Sequence, residues 1–125
     1  MAKKPRPLTR AELRTLEKFA RLEISLKDLR QVLKEVLQFE FAEHERRLSS
    51  HFLVPQPGVR INQDHIRRAM KKHAHEEIST DQLADWATML LLNDAYDWQG
   101  PDEEEIAAWL NDISMLTLKP RTSDN

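Results

Sequence analysis

Only two glycines, Gly58 and Gly100, occur in this chain of 125 residues. Glycine enters left-handed backbone without a steric penalty, and the tight two-residue β-hairpin depends on it. A chain so poor in glycine is not expected to be built from hairpins. Helix-start signals recur along it instead. The stretch "EISLKDL" (23–29) returns as "EISTDQL" (77–83). In each copy a serine, Ser25 or Ser79, stands where an N-cap accepts an orphan backbone N–H. Three residues on, Asp28 and Gln82 occupy the position from which a capping box closes. Ile24 with Leu29, and Ile78 with Leu83, have the spacing of a hydrophobic staple. The repeat therefore reads as helix punctuation and not as a duplicated functional site.

The same signals map the rest of the chain. Thr9 and Glu12 open a helix to about Leu22, with Leu13, Leu16, Phe19 and Ala20 on its apolar stripe. Ser25 opens a long helix carrying Leu26, Leu29, Val32, Leu33, Val36, Leu37 and Phe41, an apolar surface wide enough to pack against two neighbours. The polar text "AEHERRLSSH" beyond it is expected to project into solvent. "FLVPQPGVRI" is a connector with two prolines and a glycine, containing a short extended piece at Val59 to Ile61. Asn62 caps a third helix with Ile66, Ala69 and Met70. Ser79 starts a fourth with Leu83, Trp86, Ala87, Leu90 and Leu91. After a second connector, "NDAYDWQGP", a fifth begins near Pro101 or Asp102 with Ile106, Trp109, Leu110 and Ile113. The expected fold is all-α: one compact bundle of about five helices over residues 1–125. A basic arm (1–8) and a tail (119–125) are expected to be flexible.

The apolar fraction of 40% with 32% charged residues suits one soluble globular domain. With no cysteine there is no disulfide framework, thiol nucleophile or thiolate metal site. No apolar run approaches the roughly 20 residues of a membrane span, and no apolar segment follows the basic N-terminus, so the expected address is the cytoplasm.

Charge is unevenly distributed. Residues 1–75 hold 17 Lys and Arg against 9 Asp and Glu, whereas residues 76–118 hold 11 acids and no Lys or Arg. Either the two halves fold together and offset one another, or the acidic half presents a field to a basic partner. Asp94, Asp97 and Asp102 surround the second connector. Trp98 lies among them, either as a plug over helix ends or as an interface anchor. Asp81 and Asp85 extend the acidic set onto the fourth helix. Trp86 and Trp109 fall on apolar stripes and read as core. Opposed to these is a basic face at Arg60, Arg67, Arg68, Lys71 and Lys72, the alternative site, suited to nucleic acid. A helix-turn-helix there would carry Asp81 and Asp85 into the groove, where phosphates repel them.

Metal and catalytic signatures are weak. His73 and His75, two apart on a helix, point to different sides, and Glu40 with His44 lacks the HExxH arrangement. No Gly-rich phosphate loop or GxSxG is present. The expectation is a non-enzymatic protein with no cofactor and no metal.

Ile78, Ser79, Leu83, Trp86 and Ala87, with Asp94, Glu105, Ile106, Leu110 and Ile113, give the run I-S-x-x-x-L-x-x-W-A, an acidic-aromatic connector and E-I-x-x-x-L-x-x-I. This resembles a group of short uncharacterised bacterial proteins, some of them suspected immunity proteins of toxin systems. The resemblance covers about residues 60–118 and implies a small neutraliser of another protein; it carries no catalytic residue over. Binding of a basic protein through Asp81, Asp85, Asp94, Asp97 and Trp98 is the expected role. Against a nuclease toxin it would occlude a positively charged active site. The wide apolar stripes also leave room for a homodimer.

Overall fold

The computed structural model describes residues 6–41, 46–50, 52–56 and 58–116. Five helices dominate the described residues: α1 (Arg10–Ala20), α2 (Leu26–Val32), α3 (Gln63–Ala74), α4 (Thr80–Leu92) and α5 (Glu103–Ser114). Helix α4 is buried on nearly every side and packs against all four others. Trp86 on α4 is completely buried, and its indole N–H donates to the Ala20 carbonyl at 3.1 Å. One cluster of buried side chains draws on all five helices.

The fold is mostly helical, but the all-α expectation needs correction. Among the described residues six short strands pair two by two: β1 (Arg6–Pro7) with β4 (Phe52–Leu53), β2 (Leu37–Phe41) with β3 (Arg46–Ser50), and β5 (Val59–Arg60) with β6 (Tyr96–Asp97). The long second helix expected to reach Phe41 stops at Val32. Leu33 ends it, the chain turns through residues 33–36, and "LQFEF" becomes one arm of an antiparallel hairpin with Phe39 opposite Leu48. That segment alternates apolar and polar residues with β-forming phenylalanines, a period of two that competes with the helical reading. The glycine argument fails here because four residues separate the strands, and longer hairpin loops do not require φ > 0 at a fixed position. The extended piece expected at Val59–Ile61 is present as β5, followed by Ile61.

The helix starts behave as expected in most cases. Thr9 with Glu12 and Ser79 with Gln82 form reciprocal capping boxes; Asn62 forms one with His65. Ser25 accepts the Asp28 N–H at 3.1 Å, but among the described residues no return bond comes from Asp28. An aspartate is one methylene shorter than the glutamate that normally closes the box. Glu12, almost fully buried, is held by a bidentate Arg6 guanidinium at 2.9 and 2.8 Å and by the Thr9 N–H at 2.8 Å. These donors, Arg6 first, keep its carboxyl below the ordinary range.

The repeat extends further in space than in the quoted text. Leu22 and Glu76 both lie at φ 59°, and each ends its helix in a Schellman turn. Glu23 N–H bonds Lys18 O at 2.9 Å, as Glu77 N–H bonds Lys72 O at 2.8 Å. Lys18, Ala20, Glu23, Ile24, Ser25 and Leu29 thus match Lys72, Ala74, Glu77, Ile78, Ser79 and Leu83 in both sequence and corner geometry. Each corner joins two helices bracketed by a parallel strand pair, β1–β4 around α1 and α2, and β5–β6 around α3 and α4. The two corners meet: Ile24, Ser25 and Asp28 share a depression of about 470 Å³ with Ile78, Gln82 and Asp85.

Candidate partner-binding surface

Helix α4 ends where the acidic connector begins. Asn93 is buried and folds the chain back on itself: its Oδ1 accepts the Ala95 N–H at 3.0 Å, and its carbonyl accepts the Tyr96 N–H at 3.1 Å. The connector then runs beside β5, with Val59 N–H on Ala95 O at 2.7 Å and Ile61 N–H on Asp97 O at 2.8 Å. Tyr96 points into the core, and its hydroxyl donates to Leu16 O at 2.7 Å. Burial pushes its pKa well above that of an ordinary phenol. With Ala95 and Tyr96 held inside, Asp94 faces solvent and Asp97 and Trp98 lie half-buried at the surface.

These three residues line one groove of about 600 Å³, together with Val54, Gly58, Arg60 and Leu91. Gly58 is required by close approach: a Cβ there would lie 2.7 Å from Asp97 Oδ2 and 2.8 Å from Ala95 O. Arg60 sits 3.6 Å from Asp97 and donates to the Gln99 carbonyl. The groove therefore combines an aromatic, a small apolar wall, the Arg60-paired carboxylate of Asp97 and that of Asp94, which has no ion pair among the described residues.

The other expected residues are placed elsewhere. Asp85 lies half-buried in the depression between the two helix corners, and Asp81 is exposed on the first turn of α4. At about 1.5 Å rise per residue, α4 puts Asp81 roughly 20 Å from Asp94. The basic set also divides. Arg60 belongs to the acidic groove. Arg67 is paired to Asp64 at 2.8 Å, and Lys72 to Glu77 at 3.4 Å, while Arg68 and Lys71 are exposed on α3.

Only part of the charge asymmetry is offset by direct pairing. Arg60–Asp97, Lys72–Glu77 and the weaker His75–Glu77 contact are among those that join the basic and acidic halves. Asp81, Asp94, Glu103, Glu104 and Asp112 have no ion pair among the described residues, and all five are exposed.

His73 Nε2 lies 2.9 Å from Thr80 Oγ1, and no cluster of three His, Asp or Glu side chains that could hold a metal occurs among the described residues. Glu40, Glu43, His44 and His51 have side chains outside the described residues. No helix among the described residues is long and apolar enough to cross a membrane.

One surface was missed by periodicity. Trp109, expected in the core, is 37% exposed, and Met70 and Leu116 are 44% and 48% exposed. Ile106, Leu110 and Ile113 form the buried stripe of α5, and Trp109 lies at the stripe's edge, about 40° beyond Ile113 around the helix. Leu83, Trp86, Ala87, Ile106, Leu110 and Ile113 are buried, and Ser79 is a cap. No protein-family model, curated protein or solved structure matches the chain.

Proposed function

We propose that this chain is a non-enzymatic, immunity-like protein-binding module that takes a basic partner on the groove around Asp94, Asp97 and Trp98. One observation carries the reading: a half-buried tryptophan stands between carboxylates, on a connector pinned from below by Tyr96. An aromatic anchor with a charged rim is a recurrent arrangement of binding hot spots. A preorganised segment loses little conformational freedom on binding. The unpaired carboxylates of the C-terminal half add a negative field that speeds encounter with a positive surface. Against a nuclease, such a surface would act by covering the cationic active site. The alternative nucleic-acid face is less favoured, because Arg60 is separated from the α3 cations and tied to Asp97.

The test is a tagged pull-down from the native host after nuclease digestion, followed by kinetics on the captured protein. A basic protein is expected to survive digestion. Trp98→Ala should slow-bind or release it, and Asp94→Lys should lower the association rate and flatten its salt dependence. Partners that vanish with the nuclease would reject the groove and favour Arg67, Arg68, Lys71 and Lys72 on nucleic acid.

A further inference from the structure

We propose that the seam between α3 and α5 is a self-association face, covered by a second copy of this chain. Met70 from α3 and Trp109 and Leu116 from the α5 side leave large apolar surfaces exposed around a depression of about 640 Å³ floored by Ile66 and Ile113. A tryptophan, a methionine and a leucine gathered in one groove are the residues an interface buries. Charge identifies the occupant. The α3 flank carries Arg68 and Lys71, both exposed, and Arg67, which is paired to Asp64 of its own helix, whereas α5 carries Glu103, Glu104, Glu105 and Asp112 and no cation.

The two helices run in the same direction. Gln63 bonds Glu105 at 2.9 Å near their N-termini, and Met70 and Leu116 share the groove toward their C-termini. A two-fold axis parallel to the helices lays α3 of one copy on α5 of the other, twice over. This register sets Lys71 level with Asp112 of the second copy, once on each side of the seam, and each Trp109 covers the Ile66–Met70 wall of the second copy. A two-fold axis across the helices would stack α3 on α3 and α5 on α5, with like charges opposed. The face is thus self-complementary under one symmetry operation, as an isologous interface must be. It is separate from the Asp94–Trp98 groove, so the two proposals stand or fall independently.

Sedimentation equilibrium of the full chain across micromolar to submillimolar concentrations tests this. The expected species is twice the 14.7 kDa chain mass. Trp109→Ala should weaken the dimer roughly thirtyfold or more, as loss of a hot-spot residue does. Because Trp109→Ala also perturbs the fold locally, a charge swap provides the register-specific readout. Lys71→Glu and Asp112→Lys should each weaken association several-fold, and the double variant should restore it. A monomer at every concentration overturns the proposal. So does a dimer indifferent to Trp109→Ala, or one in which the double swap is weaker than either single change.

Discussion

The two helix corners share a backbone but not a side-chain environment, and this makes glycine substitution at their left-handed residues informative. Glu76 sits at φ 59°, is exposed, and has no ion pair among the described residues. Left-handed backbone costs an L-residue roughly 1–2 kcal/mol, which glycine avoids. Glycine gives back roughly 0.5–1 kcal/mol through its freer unfolded state. Glu76→Gly should therefore stabilise the protein by about 0.5–1 kcal/mol, against the usual direction for glycine substitutions. Losing a negative charge beside the C-terminus of α3 also helps, so Glu76→Gln, which removes the charge and keeps the strain, is the reference. Leu22 has the same φ but packs against the core, so Leu22→Gly forfeits about 1 kcal/mol or more of apolar burial and should destabilise. Urea unfolding at fixed protein concentration, followed by tryptophan fluorescence and far-UV circular dichroism, measures both. With m near ~1.5 kcal/mol/M, the midpoint of Glu76→Gly should rise about 0.3–0.7 M over Glu76→Gln, with m unchanged. A midpoint at or below that of Glu76→Gln would refute the strain argument.

Two further outcomes follow from the geometry. Gly58→Ala should cost about 1–3 kcal/mol, because its Cβ would meet the Ala95 carbonyl, which the β5–β6 bond to Val59 holds in place. Removing the other contact with Asp97→Ala should not restore stability, and equal urea midpoints for wild type and Gly58→Ala would contradict the close approach. His65 is held below its ordinary pKa chiefly by burial, and then by Arg21 and Arg68. The unfolded chain then takes up that proton first, so stability is full above about pH 6.5 and declines as pH falls below it. Glutamine preserves the capping-box position, so His65→Gln should flatten the stability profile below about pH 6.5; an unchanged slope would assign the decline to other groups.

Much of the helical framework was legible because its signals are local. Thr9, Ser25, Asn62 and Ser79 each satisfy N–H groups within three residues, and α4 buries Leu83, Trp86, Ala87 and Leu90 and α5 buries Ile106, Leu110 and Ile113 of the stripes their periodicity indicates. The segment after Val32 was misread because its side chains suit both periods. A strand needs a partner, and residues 46–50 announce themselves only when paired. Trp109 was misplaced for a related reason: an apolar stripe shows which side of a helix seeks cover, not how far the neighbouring helices extend over it.

By itself the sequence determined where helices begin, that the cationic and anionic residues fall in separate halves, and that one helix start is written twice. Those properties reside in consecutive residues and in the steric and hydrogen-bonding needs of a single backbone. The tertiary structure alone decided that Asp94, Asp97 and Trp98 share a groove while Asp81 stands apart, that Arg60 belongs with the acids, and that α3 and α5 leave an apolar seam between opposite charges. Each of these depends on contacts between residues far apart in the chain, such as Tyr96 with Leu16 and Gly58 with Ala95. Local propensity carries no information about which distant surface will close over a given residue, because that closure is settled by packing of the whole chain.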